Sequence, residues 1–184
     1  MDFDRPTFKE AMRQCAGAVA LVTVGTIPGR RTGLTVTSAC SLSDDPPALL
    51  ACVNRNASAH SRIREERCFA VNFLCEDHTP LAMIFSGQKG INGEDRFAFG
   101  RWIESATGTL LLADAPAAFD CVLAQEFETK THSVFVGEVR NVKISAETNP
   151  LVYLRGGFKS VRDIQDPFSL GDLDARRSSW SSFS

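Results

Sequence analysis

The stretch of sequence that decides the fold spans residues 33–63 and reads GLTVTSACSLSDDPPALLACVNRNASAHSRI. It predicts a hydroxyl-rich strand from Leu34 to Ser41, because β-branched residues favour extended structure. An acidic turn closed by Pro46 and Pro47 follows, and then an apolar strand from Ala48 to Val53. The first strand offers more hydroxyls than a core strand needs. This indicates either a binding surface or a half-buried strand pair whose hydroxyls face water.

The size and composition of the chain are those of one soluble globular domain. It has 184 residues, 43% of them hydrophobic and 23% charged, with a formal net charge of -2. That charge gives no support for nucleic-acid binding, which normally requires a basic excess. No apolar run is long enough to span a bilayer, and the start MDFDRPTFKE lacks the layout of a signal peptide. We therefore expect a cytoplasmic protein that does not contact membranes.

The six cysteines are scattered through the chain without a CxxC pair. Several lie inside apolar runs, as Cys52 and Cys68 do. Free, mostly buried thiols in a reducing compartment are therefore expected, rather than disulfides. The spacing supports no zinc site, and we expect no metal.

The pattern of short elements predicts a mainly β fold with a few short helices. A capping-box pattern from Thr7 to Glu10 predicts a first helix of about three turns. Two more helices are expected over 58–66 and 81–85, with an ordered loop over 88–100. Strands are predicted over 19–24, 34–41, 48–53, 67–74, 110–113, 118–127, 132–144 and 151–154. Such a series favours a closed or nearly closed antiparallel barrel.

The chain divides into two parts by composition. Residues 1–165 form the predicted domain, and residues 166–184 form a serine-rich tail that we expect to be flexible. Docking of the tail onto a partner subunit through Trp180 and Phe183 is a second possibility.

Several side chains in the first half suit the binding of a flavin. Ser58 and Ser61 lie in the opening turn of a predicted helix, where free N–H groups and the helix dipole favour a phosphate. Lys89, in a loop between glycines, can neutralise that charge. The plainer alternatives are that Ser58 is only a helix cap and that Lys89 is solvated. No GxGxxG, Walker or GxSxG motif is present, so neither a Rossmann site nor a serine hydrolase is supported.

His132 is the histidine most suited to chemistry. It begins a strongly β-forming run, where it can stack on a nicotinamide, bind it through a hydrogen bond, or donate a proton. The alternative is a histidine with a structural role at a strand end. His60 and His78 flank short helices and are expected at the surface.

Ordered blocks of sequence resemble the flavin reductase components of two-component flavin-dependent monooxygenases. Each block is weak alone, but their order is specific. They are Phe8-Lys9-Glu10-Ala11-Met12, Gly33-Leu34-Thr35-Val36-Thr37-Ser38-Ala39-Cys40-Ser41, Asp45-Pro46-Pro47, Cys52-Val53-Asn54, Phe85-Ser86-Gly87, Asp95-Arg96-Phe97, and Thr131-His132 with Gly137-Glu138-Val139.

The resemblance implies an FMN-binding split β-barrel. It also implies a homodimer that reduces FMN or FAD with NADH or NADPH and supplies reduced flavin to a partner oxygenase. The flavin-binding residues that it implies are Thr35, Val36, Thr37, Ser38, Ser41, Cys52, Val53, Asn54, Ser58, Ser61, Ser86, Gly87 and Lys89. His132 is the implied catalytic residue, and Tyr153 and Arg155 are implied to line the nicotinamide side with it.

The chain departs from the family pattern at one informative place. The family often has Gly-Asp-His where this chain has Lys130-Thr131-His132, so the acid before the histidine is absent. Two alternatives to a reductase are an FMN-binding electron carrier or flavin-storage protein on the same fold, and a split-barrel binding module without flavin.

Overall fold

A computed structural model describes residues 4–145 and 148–162. The helices are α1 (Arg5–Met12), α2 (Ser58–Glu66) and α3 (Thr79–Phe85), with short 3-10 turns at Glu76–His78 and Gly93–Ala98. The strands are β1 (Gly17–Ala18), β2 (Ala20–Val24), β3 (Thr32–Val36), β4 (Ala39–Asp44), β5 (Pro47–Asn54), β6 (Cys68–Phe73), β7 (Trp102–Glu104), β8 (Leu110–Leu112), β9 (Ala117–Glu128), β10 (His132–Ile144), β11 (Leu151–Leu154) and β12 (Gly157–Ser160). The prediction of a mainly β fold with a few short helices is confirmed.

A seven-stranded antiparallel sheet forms the body of the molecule. Its strand order is β3-β2-β6-β9-β10-β5-β4, and the strands β1, β11 and β12 form a separate small sheet. The two longest strands, β9 and β10, lie side by side in the middle of the large sheet. No helix in the described part of the chain is long and apolar enough to cross a membrane.

The predicted strand from Leu34 to Ser41 is in fact two strands that form opposite edges of the large sheet. The chain leaves β3 at Val36 and enters β4 at Ala39, so only two residues join the edges. Two residues and their flanking bonds span about 10 Å at most. The sheet is therefore curled until one end of β3 meets one end of β4. The two joining residues, Thr37 and Ser38, form a corner. This corner is held against β5, because the carbonyl of Ser38 accepts a hydrogen bond from the backbone N–H of Cys52 at 3.1 Å.

Two apolar clusters hold the elements together. One packs between α2 and the large sheet and includes Ile63, Phe69 and Phe135. The other packs around α3 and includes Phe85 and Leu112. Both helices are thereby fixed against β3, and this positions the site described below.

Besides the strand from Leu34 to Ser41, three local predictions from the sequence are wrong. Helix α1 is shorter than three turns, and its cap is Asp4, whose carboxylate accepts a hydrogen bond from the Thr7 N–H at 2.9 Å. The loop predicted over 88–100 contains a 3-10 helix, Gly93–Ala98. His60 is buried rather than exposed, because α2 packs its first turn against β10. The tail prediction, with Trp180 and Phe183, lies outside the described residues.

Candidate functional site

A cleft of about 470 Å³, here called the α2 cleft, opens where three segments of the chain meet. One wall is β3, the second is the turn from the end of β5 into α2, and the third is the end of α3 with the loop after it. The lining residues are Gly33, Leu34, Thr35, Asn54, Asn56, Ala57, Ser58, Phe85, Ser86, Asn92 and Arg96. Four predicted flavin-binding residues (Thr35, Asn54, Ser58 and Ser86) are thus brought to one place.

Local hydrogen bonds fix the walls of the α2 cleft. Thr35 donates its hydroxyl to the Ala82 carbonyl on α3 at 2.7 Å, which ties β3 to that helix. Asn54 accepts the Asn56 N–H on its side-chain oxygen at 2.9 Å, which shapes the turn before α2. The backbone of the turn is therefore ordered by its own side chain.

The N-terminus of α2 faces this cleft without a side-chain cap. Its N-cap residue is Ala57, which has no side-chain oxygen, and no side chain caps the first turn. The alternative that Ser58 is the cap is therefore wrong. Its hydroxyl instead lies 2.7 Å from that of Thr32 on β3. Free N–H groups and the positive end of the helix dipole favour an anion at this point.

Arg96 supplies the positive charge beside the helix N-terminus. Its Nη1 donates to the Gly33 carbonyl at 2.6 Å and its Nε to the Ile91 carbonyl at 2.8 Å. Both acceptors are neutral, and no carboxylate in the described part of the chain lies within salt-bridge distance of Arg96. Burial lowers the pKa of the Arg96 guanidinium. A phosphate in the cleft would supply the missing counter-charge.

His132 lies at the rim of this region. It pairs with Asn54 across the β10–β5 ladder, and its Nδ1 is 2.9 Å from the Thr131 hydroxyl. Its carbonyl accepts a hydrogen bond from the Thr129 hydroxyl at 2.7 Å. These contacts hold the turn before β10, and the ring is exposed to solvent.

A second cleft, the N-terminal cleft, lies between α1 and β11 and has a volume of about 450 Å³. It contains Tyr153 and Arg155, the two residues expected on the nicotinamide side, together with Thr37. Thr37 lies in the corner between β3 and β4, two residues after Thr35. The segment from Thr35 to Thr37 therefore borders both clefts.

The other predicted flavin-binding residues line neither cleft. Val36 and Val53 place their side chains in the core, so only their backbone groups are available to a ligand. Cys52 is half-buried on the outer face of β5, and burial, followed by the neighbouring Cys40, raises the pKa of its thiol. The remainder are exposed at the corner, on β4, on α2 or in the loop after α3: Ser38, Ser41, Ser61, Gly87 and Lys89.

Sequence reasoning missed the residues that complete the α2 cleft, above all Arg96. It lies more than sixty residues from Gly33, which it contacts, so no local pattern links the two. Its one signal in the sequence is its place in the block Asp95-Arg96-Phe97, which carries part of the family resemblance. Among residues 4–145 and 148–162, no group of three or more His, Cys, Asp or Glu side chains is placed to hold a metal ion.

The α2 cleft combines an uncapped helix N-terminus, a partly buried arginine and a hydroxyl of β3, a set of groups that suits a ligand with a phosphate. Comparison with known proteins specifies the class. Residues 12–162 match the family model described as "Flavin reductase like domain".

Several similar proteins are named as flavin reductases or as a flavin oxidoreductase. The FMN reductase (NADH) RutF of Bradyrhizobium diazoefficiens is 36% identical over 168 residues, which cover 91% of each chain. The structure of BorF, the flavin reductase component of a bacterial two-component tryptophan halogenase, superposes with a TM-score of 0.79 at 29% identity, covering 88% of this chain and all of BorF. The NADH:FAD oxidoreductase SgcE6 of Streptomyces globisporus C-1027 gives a TM-score of 0.79 at 26% identity and covers 90% and 92% of the two chains.

The chain therefore belongs to the flavin reductase family, and the predicted family and split-barrel fold class are confirmed.

Proposed function

We propose that this protein is an NAD(P)H-dependent flavin reductase that binds FMN or FAD in the α2 cleft and releases the reduced flavin to a separate oxygenase. The observation that carries the site is the uncapped N-terminus of α2 beside Arg96. The relatives include both an FMN reductase and an NADH:FAD oxidoreductase, so the proposal takes either flavin.

The residues of the α2 cleft divide the binding of a flavin between them. Ser58, the first N–H groups of α2 and Arg96 would hold the phosphate. The segment Thr35 to Ser38 would offer amides and hydroxyls to the polar edge of the ring. When bound, the flavin supplies the redox chemistry.

The chain's own contribution to the reaction is positioning. Tyr153 and Arg155 lie in the N-terminal cleft beside Thr37, and we propose that they contact the nicotinamide nucleotide. His132 lies across from Asn54 and would orient the nicotinamide or hold a proton near it. His132 and Tyr153 lie on strands, and Arg155 directly follows β11.

The test is to mix purified protein with NADH or NADPH and free FMN or FAD, and to follow the nicotinamide absorbance. We expect consumption that needs both the protein and the flavin. A protein that holds flavin but consumes neither nicotinamide would instead be an electron carrier or flavin-storage protein. A protein that binds no flavin would be a binding module on this fold.

We further propose a homodimer, which the resemblance implies. The outer face of the sheet carries an apolar row formed by Phe127, Val134 and Cys52, which are partners across β9, β10 and β5. Phe127 is 57% exposed. A second copy that covers this row would lie against the strand that carries Cys52 and Asn54. Light scattering after size-exclusion chromatography should give about twice the monomer mass.

The oxygenase partner and the cytoplasmic location are part of the same proposal. BorF is the reductase of a two-component halogenase, which supports a separate oxygenase as the consumer of the reduced flavin. All six cysteines are free, which fits a reducing compartment. Addition of a flavin-dependent oxygenase to the assay should yield hydroxylated product, because the reduced flavin that the reductase releases reaches the oxygenase by diffusion.

A further inference from the structure

The α2 cleft continues into a second cleft of about 360 Å³, here called the arginine cleft. The two clefts share Ser58, Asn92 and Arg96. A ligand whose phosphate lies at Ser58 and Arg96 therefore has a further cavity beside that phosphate, and Thr35 lines only the first of the two clefts.

The arginine cleft is strongly cationic. Arg30, Arg31, Arg62 and Arg96 line it, against the single carboxylate of Glu94. They come from three separate parts of the chain: the turn before β3, the second turn of α2, and the 3-10 helix. Arginine is the residue best suited to phosphate, because its planar guanidinium donates two parallel hydrogen bonds.

Nearby carboxylates neutralise these arginines only in part. Glu65 accepts from both Arg30, at 3.2 Å, and Arg62, at 2.8 Å, so two guanidinium groups share one carboxylate. The contact of Arg31 with Glu104 is long, at 3.7 Å. The lining of the cleft itself therefore holds four guanidinium groups against one carboxylate, and the other carboxylate partners of these arginines lie outside the lining.

Hydrogen-bond donors without an acceptor also indicate that this cleft can bind an anion. The Nε groups of Arg31 and Arg62 are buried and have no hydrogen-bond partner in the described part of the chain. The nearest carboxylate to Arg62 Nε, that of Glu66, is 3.9 Å away, which is beyond hydrogen-bond distance. Neither guanidinium is thus saturated by its carboxylate neighbours, and a buried donor without an acceptor is costly.

We propose that the arginine cleft binds the second phosphate of a dinucleotide flavin, so that this protein binds FAD more tightly than FMN. The two phosphates of FAD share a bridging oxygen, so the second must lie beside the first. FMN ends at the first phosphate and leaves the arginine cleft without a ligand. This inference rests on the proposed function, since it assumes that the first phosphate lies between Ser58 and Arg96.

Isothermal titration calorimetry with riboflavin, FMN and FAD tests the proposal without turnover. The wild-type protein should bind FAD about tenfold more tightly than FMN, the effect of one or two partly exposed charge-assisted contacts. The Arg62→Gln variant should reduce the FMN-to-FAD ratio of dissociation constants about fivefold, because one such contact is lost. Arg30→Gln should reduce it in the same direction, and its side chain is 52% exposed, so this variant keeps the fold intact.

The matched control is Arg140→Gln. Arg140 is exposed on β10, pairs with Glu138 and lies outside the three clefts. It should leave the ratio unchanged. Raising the salt concentration should weaken FAD binding more than FMN binding in the wild type.

The outcomes separate this inference from the proposed function. If no flavin binds, the proposed function fails. If FMN and FAD bind equally well, or if Arg62→Gln and Arg30→Gln weaken both flavins by the same factor, the arginine cleft is only a solvated ion-pair surface and the inference is wrong. It is also wrong if these variants leave the flavin ratio unchanged but alter the preference for NADPH over NADH, since the anion would then be the nicotinamide nucleotide's phosphate.

Discussion

His132 lies directly opposite Asn54 in the antiparallel pairing of β10 with β5. Such partners point to the same side of a sheet, with their Cβ atoms about 4.5–5.5 Å apart. Since Asn54 lines the α2 cleft, the imidazole of His132 is at its edge. The pairing register therefore places the candidate catalytic residue beside the candidate flavin site, although the two residues are far apart in the chain.

Replacement of His132 tests its role in the reaction. His132→Ala should lower kcat/KM for NADH about 100-fold if the ring transfers or holds a proton. The dissociation constant for flavin should change by less than about twofold, because neither cleft is lined by this side chain. Lys130→Ala, in the same exposed turn, is the control. Equal losses in both variants would show that the turn, rather than the imidazole, matters.

Replacement of Arg96 tests whether the phosphate of the flavin binds beside the N-terminus of α2. Arg96→Gln should weaken FMN binding about tenfold, the effect of one partly buried charge-assisted contact, while riboflavin affinity stays nearly constant. Lys89→Gln is the comparison, since Lys89 was the candidate from the sequence but lies outside the lining of the α2 cleft. If calorimetry shows a larger loss of FMN affinity for Lys89→Gln than for Arg96→Gln, the phosphate binds at the loop after α3 instead.

The buried His60 makes stability depend on pH. Its Nε2 lies 2.8 Å from the Ser133 hydroxyl, and burial lowers its pKa, although Glu126 at 3.7 Å opposes this shift and Arg64, Arg55 and Glu128 act on it more weakly. The unfolded chain then binds the proton more strongly than the native one. The contribution of neutral His60 to the free energy of unfolding is therefore fully present above pH about 6.5, and it is lost as the pH falls below this value.

Urea unfolding of the wild type and of His60→Gln at two pH values on either side of this point checks the prediction. The difference between the two proteins should be larger at the higher pH, because the variant lacks this titration. A difference that is constant with pH would mean that His60 does not titrate differently in the folded state.

Gly137 allows β10 to pack closely on its neighbours. A Cβ atom at this position would lie 2.5 Å from Phe69 Cζ and 2.7 Å from Cys121 Cβ. Gly137→Ala should therefore destabilise the protein by about 1–3 kcal/mol. Gly157→Ala, where the nearest atom is 4.0 Å away, serves as control and should have little effect in thermal unfolding. Equal stability of the two variants would indicate that Phe69 and Cys121 can shift to accommodate the added methyl group without a large cost in free energy.

The sequence predicted most strands correctly because their β-branched and apolar runs are local signals, as in β5 and β10. It missed the corner at Thr37 and Ser38, since Thr37 is β-branched and no Gly or Pro interrupts the run. Only the pairing partners show that β3 and β4 belong to opposite edges. It also placed His60 at the surface, because its burial depends on β10, more than seventy residues away.

The sequence likewise predicted some residues of the candidate site and missed others. Thr35, Asn54, Ser58 and Ser86 were predicted and share one cleft, since each lies in or beside a recognisable strand or helix end. The arginines were not predicted as ligands, because Arg31, Arg62 and Arg96 converge from three parts of the chain, and the block that contains Arg96 gives no sign of what its side chain contacts.

The most direct test of the central claim is hydrogen–deuterium exchange of the protein with and without saturating FMN. If the α2 cleft is the flavin site, exchange should slow in three separate segments, 33–38, 54–61 and 85–96, while the hairpin 151–160 changes less. If FMN leaves these three segments unchanged, or protects only residues elsewhere in the chain, the flavin does not bind in this cleft and the account is wrong.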